Sequence, residues 1–509
     1  MGKRFTSTVA GASLFLAAMS FLGRGIGFFK EVVFASYFGL SEEFDIYLVS
    51  AVLPLTIDVI LYFIGQNYFI PTFHKDNKDT KDNKNKLVRF SFWAFTFLGL
   101  LISIVLYIFS YQIVSAYLVN LSQEKIDQAI QIFQLFLITI PLSSAISILT
   151  AFLHSKFDFS SPSYSRLFLN AAIILIIILF TDKLNIFVIP AGHIIGTFFQ
   201  LAYLLVKSKL QLFGNIYSNV LVKKLLKGSL LITILIESIS QLYLISDRYF
   251  IGLVDEGGIA ALSYAQTFFL LPISIITIAL STAILPKLSK NFAEGNSAKV
   301  ESTYNDGVNI NLFMFVPLTI IYFLNGDILI QFIYERGNFS PSDTILTYNA
   351  LKFFALSFIF YSTYSLSNKL IYSTNLSSYL LYITVIGIGI KILLNFLLID
   401  SMKQNGLAIA TAVSYVFFFS SSLIVLKSKR IIRKNKFTSI LTFQVFNSIL
   451  SLILVRIIAI TSLTNLNNSR YLEVFLFLAI YFLNQMFIKT RSAELMTSLF
   501  FRLYRQNVN

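Results

Sequence analysis

Two cations stand inside the first long apolar stretch of this chain, Arg24 and Lys30 in Ser20-Phe-Leu-Gly-Arg-Gly-Ile-Gly-Phe-Phe-Lys30-Glu31. A charge at the centre of a lipid-embedded helix costs about 2.5–3.5 kcal/mol on insertion scales. Such a residue is retained where it faces a polar cavity and an anionic ligand, or where an acid answers it, Asp58 for Arg24 and the adjacent Glu31 for Lys30. Arg offers a planar fork for bidentate contact and Lys a mobile point charge. Six residues apart, the two are offset by about 120° around a helix, so they flank a ligand rather than stack beneath it. Gly25 and Gly27, with Gly23, strip side chains from the same turns, which lets a bulky group approach or the helix bend.

Other polar residues interrupt apolar runs further along. Glu237 lies deep in one, Asp247 and Arg248 adjoin near its end, and Lys391 and Asn395 stand one turn apart on a shared helix face. Glu237 and Lys391 are expected to pair across the second half, either as a coupling element or as a static buried ion pair. Arg248 has two readings, a ligand contact and a local pair with Asp247. Three His, no Cys and no phosphate-cradling glycine loop argue against an enzyme, a metal site or a cofactor.

These residues need helices to hold them. The chain has 509 residues, 56% of them hydrophobic and 13% charged, and a mean hydropathy of +0.74. Apolar runs of about 20 residues, the length that crosses a bilayer core, recur along it. We read an all-α polytopic membrane protein of about fourteen spans. Lys and Arg concentrate in alternate loops, so the positive-inside rule places both termini in the cytoplasm. The net charge of +15 therefore reflects topology and not nucleic-acid binding.

Phe38-Gly39-Leu40, acids, then a helix reaching Leu53-Pro54 are echoed by Ile251-Gly252-Leu253, acids, then a helix reaching Leu271-Pro272. This suggests parallel six-helix lobes with a site between them: 1–206, a linker 207–225, then 226–426, with 427–509 supplying two further helices and a basic tail. Pro54 and Pro272 each bend or interrupt a helix and are hinge candidates, as are Gly25 and Gly27.

Phe21-Leu-Gly-Arg24-Gly-Ile-Gly27-Phe-Phe-Lys30-Glu31, followed by Phe38-Gly39, Asp45 and Leu53-Pro54, resembles the opening of the MurJ (MviN) lipid II flippases. The likeness continues through Asp247-Arg248, Ala261-Leu-Ser-Tyr264-Ala265, Leu285-Pro-Lys-Leu-Ser289, Tyr334-Glu-Arg-Gly-Asn-Phe339 and Leu394-Asn395 to Gly406-Leu-Ala-Ile-Ala-Thr411. It implies a MATE-like fold of the multidrug/oligosaccharidyl-lipid/polysaccharide exporter superfamily in a bacterial cytoplasmic membrane. It also implies alternating-access transfer of a polyprenyl-diphosphate-linked glycan to the outer leaflet. Partners on this reading are that glycan lipid, membrane lipids and a coupling ion or the membrane potential. Arg24, Lys30 and Asp45 match family positions around the cavity, and Arg248 joins them as a substrate candidate. Asp58 and Thr267 stand where the family commonly has basic residues, which leaves room for a capsule or O-antigen unit in place of lipid II. A drug or cation antiporter is the remaining alternative; it favours acids in the first lobe.

The absence of native cysteine makes the topology directly measurable. Lys209→Cys should react with an impermeant maleimide from the cytoplasmic face only, and Lys403→Cys from the opposite face only. The reverse pattern contradicts the assignment.

Overall fold

A computed structural model describes residues 9–70, 73, 81–118, 121–214, 229–250, 253–374, 376–461, 470–495 and 497; among them there are helices and turns and no strand. Contacts divide the chain into two units. One comprises Met1–Ala260 with Arg336–Phe339, the other Ala261–Glu335 with Ser340–Asn509.

In the first unit, α1 (Val9–Phe38) runs unbroken past its three glycines and ends at Gly39. Gly39 takes the left-handed φ of 56° that closes many helices, and its N–H bonds the Ala35 carbonyl. Ser41 then caps α2 (Glu42–Ser50), its hydroxyl accepting from Phe44 N, with Glu42, Glu43 and Asp45 on the favourable end of the helix dipole. The chain breaks at Ala51 before α3 (Val52–Ile64). Pro54 explains the break, since it has no N–H to return to the Ser50 carbonyl. A π-type turn over Gly65–Phe69 follows. There the Ser147 hydroxyl donates to the Leu61 carbonyl at 2.5 Å, a side chain wedged against the helical ladder.

The unit continues through α4 (Lys81–Ile108), α5 (Ser110–Tyr117), α6 (Gln123–Leu137), α7 (Thr139–Ser155), α8 (Ser160–Leu184), α9 (Val188–Ser208) and α10 (Ser229–Arg248). Helices α8 and α9 form a tight hairpin around Asn185. A Cβ on Gly196 would lie 2.9 Å from the Leu169 carbonyl, so glycine permits this close approach. Helix α10 packs on α3 and belongs by contact to this unit, whereas the repeat in the sequence assigns it to the second lobe. Chain order records duplication; packing records which faces meet.

The second unit holds α11 (Gly258–Pro272), a π-type turn Ile273–Thr277, α12 (Ile278–Ala293), α13 (Ser297–Tyr334), α14 (Pro341–Ala355), α15 (Ser357–Ser373), α16 (Ser377–Ser428), α17 (Phe437–Thr461) and α18 (Arg470–Phe487). Pro272 leads directly into its π-type turn, as Pro54 precedes one in the first unit. Helix α13 kinks at Asn325. Within α16 the backbone reverses at Lys403, φ 49°, and Gly387 before the turn abuts the Phe418 ring after it. The final two helices are fastened to α13 by hydrogen bonds. Gln444 Oε1 accepts from Tyr481 Oη and Gln485 Nε2, both at 2.5 Å, and Tyr481 Oη also reaches the Phe313 carbonyl.

Among the described residues, eight helical stretches are long and apolar enough to span a bilayer, or nine if α14 and α15, bent by 45°, form one span. Two of the eight, Ser160–Ser208 and Ser378–Ser428, contain the reversals just described. The fourteen spans expected from the sequence exceed this number.

Gly337 and Gly295 separate two costs of adding a side chain. Both have positive φ, 60° and 68°, but a Cβ on Gly337 would lie 2.2 Å from the Ser36 carbonyl while Gly295 has open space. Gly295→Ala should cost about 1–2 kcal/mol of left-handed strain. Gly337→Ala should lower the thermal midpoint further; equal midpoints contradict the packing.

Candidate functional site

A cavity of about 680 Å³ opens within the first unit, in the size range of small-molecule sites. Five helices build it. Helix α1 supplies Met19, Gly23 and Arg24; α3 supplies Tyr62; α7 supplies Thr150 and His154; α8 supplies Ser163, Arg166 and Asn170; and α9 supplies Gln200. Gly23, Gly25 and Gly27 have nothing within 4 Å of where a Cβ would be, so they leave open space beside Arg24. As hinges they are not used in this conformation, because α1 is continuous through them.

The polar groups are held in place locally. His154 Nδ1 lies 2.9 Å from Gln66 Oε1, on the π-type turn, and its ring packs against Phe159. The turn between α7 and α8 is fixed by Asp158. Its Oδ1 accepts from Ser161 N and the Ser160 hydroxyl, and its Oδ2 accepts from the Ser161 hydroxyl. Two turns into α8, the Arg166 guanidinium lies 4.1 Å over the Tyr62 ring, a cation–π contact. Gln200 donates to the Ser165 hydroxyl at 3.3 Å. Among the described residues, no acid lines the cavity.

Lys30 has a different setting. Its Nζ lies 3.2 Å from Glu31 Oε1 and 5.1 Å over the Phe34 ring, and it is absent from the cavity lining. Asp45 and Arg248 form a separate buried cluster. Asp45 Oδ1 accepts from Ala260 N at 2.6 Å, and Arg248 Nη1 donates to the Ile259 carbonyl at 3.3 Å. The charges of Asp247, Asp45 and Glu31 all act on Arg248. Gly257 completes the packing, with φ 73°, where an added Cβ would lie 2.3 Å from the Leu40 carbonyl. Asp58 turns toward α7, accepting from the Thr139 hydroxyl at 3.4 Å, and does not line the cavity either.

Glu237 accepts from Gln241 Nε2 at 2.7 Å and lies in the first unit; Lys391 and Asn395, both fully buried, lie in the second. The structure thus brings Arg24 together with Arg166, His154 and Tyr62, which sequence reading missed. In sequence Arg166 closely follows a polar break and so reads as one of the cations of a cytoplasmic loop. Its position about 9 Å up a helix was the available signal.

The fold is MATE-like, with a basic cavity inside the first unit. Among solved structures, the chain is similar to one titled lipid II flippase MurJ, inward closed conformation, with a TM-score of 0.81 at 22% identity over 94% of this chain and 99% of that one. An inward-facing MATE-family multidrug resistance transporter of the MOP superfamily gives 0.66 at 13% identity over 80% and 94%. The family model for lipid II flippase MurJ matches residues 34–483. The chain belongs to the MurJ family. A probable lipid II flippase MurJ of Borreliella burgdorferi is 28% identical over 82% of this chain and 83% of its own, and one of Rickettsia prowazekii 27% over 80% and 82%.

Removing the Asp45 carboxylate leaves a buried Ala260 N–H without its acceptor, which costs about 1–3 kcal/mol. Asp45→Ala should lower the thermal midpoint and speed amide exchange at Ala260. Unchanged exchange there contradicts the assigned bond.

Proposed function

We propose that this protein flips lipid II, moving its diphosphate-linked headgroup from the inner to the outer leaflet of the bacterial cytoplasmic membrane for cell-wall synthesis. The observation that carries the reading is the cavity with Arg24 and Arg166 in its wall and no acid among its described lining residues. A diphosphate presents several acceptor oxygens and two or more negative charges, and guanidinium forks match them in a site where water is scarce. A drug or cation antiporter would need acids in that wall. Tyr62, Thr150, Asn170 and Gln200 add hydroxyl and amide groups suited to the sugar portion.

The chain transports and does no covalent chemistry on this reading. The headgroup enters the cavity, its charge is matched by cations there, and the carrier reorients around it. The prolines and π-type turns in the second helix of each half interrupt regular helix and so offer places for bending.

Asp58 and Thr267 favour one other reading, a flippase for a different polyprenyl-diphosphate glycan, since both stand at positions commonly basic in the family. Expression in a strain depleted of its own lipid II flippase tests the choice. The wild-type chain should restore growth and Arg24→Ala should fail while reaching the membrane in equal amount. A wild-type chain that is present but does not rescue removes lipid II as the substrate.

A further inference from the structure

The two cations conspicuous in the sequence, Arg24 and Lys30, do not share a site in the structure. Lys30 is paired with Glu31 and lies over Phe34. The residue that does share the cavity wall with Arg24 is Arg166, from a helix packed directly on α1.

Three features suit Arg166 to an anion. Its only described contact is the stack on Tyr62, which orients the guanidinium plane while leaving its N–H donors available. Asp158, eight residues before Arg166 in sequence, is already engaged by Ser160 and Ser161 at the start of the same helix. His154, also in the cavity wall, is held by Gln66 and offers no negative charge to neutralise Arg166. The cavity thus places two guanidinium groups from different helices around one space, and its described lining holds no carboxylate.

We propose that Arg166 is the second cation of the diphosphate clamp, opposite Arg24, with Tyr62 as its positioning residue. The inference rests on the flippase reading and names the residue that reading lacked. Grip from two helices also has a consequence that a clamp on one helix lacks. The bound diphosphate bridges α1 and α8, so its arrival and departure change how firmly those helices are held together.

The test uses the full chain in lipid nanodiscs with two probes, undecaprenyl diphosphate and the uncharged undecaprenol. Arg166→Ala should weaken binding of the diphosphate lipid by roughly tenfold or more, as expected for loss of a charge-assisted bidentate contact. Arg166→Lys should retain part of it. Binding of undecaprenol should be unaltered in both, and Lys30→Ala should leave diphosphate affinity within about twofold. Unchanged diphosphate affinity in Arg166→Ala overturns the proposal while leaving the flippase reading intact. An equal loss for both lipids also overturns it, because the effect is then not on charge recognition. A wild-type chain that does not distinguish the two lipids removes the flippase reading and this clamp with it.

Discussion

A charge within an apolar helix must meet an opposite charge, a polar cavity or water, because lipid offers no compensation. That constraint organises much of the first unit. Lys30 meets it with Glu31, Arg248 with Asp45, Asp247 and Glu31, and Arg24 with a cavity. The three solutions divide the work. The first two are closed, with the charges answered by neighbouring side chains and backbone. The third borders a basic cavity, and such a cavity is what an anionic headgroup can enter.

The helices that hold this arrangement are shaped by backbone accounting as much as by apolar packing. Each interruption has a traceable cause: Pro54 at the Ala51 break, Ser147 at the first π-type turn and Pro272 at the second. Where the chain reverses tightly or passes close to another segment, glycine supplies the room, as at Gly257 against Leu40 and Gly337 against Ser36. The Arg336–Phe339 segment shows how short such a device can be. Asn338 donates to both the Ser36 and Tyr37 carbonyls near the end of α1, satisfying groups that a helix end leaves exposed.

The class of protein and the family were legible in the residues, since long apolar runs and a series of motifs in fixed order are strong local signals. Less legible was which cations share a cavity. Arg24 and Lys30 are neighbours in sequence, yet a 120° offset on one helix is enough to send them to different surroundings. Arg166 is 142 positions from Arg24, and only the packing of α8 on α1 brings it to the same wall. The placement of α10 was hidden for a similar reason. An internal repeat announces equivalence between helices, whereas contact with α3 is decided by side chains spread along two distant segments.

The central claim is that the basic cavity of the first unit, and not the Lys30–Glu31 pair, receives the diphosphate. A structure of the full chain with undecaprenyl diphosphate in lipid nanodiscs measures this most directly. The account predicts diphosphate density inside the cavity, within hydrogen-bond distance of both Arg24 and Arg166, with the Lys30–Glu31 pair intact. Density centred on Lys30, with the Arg24 and Arg166 cavity holding none, would contradict it.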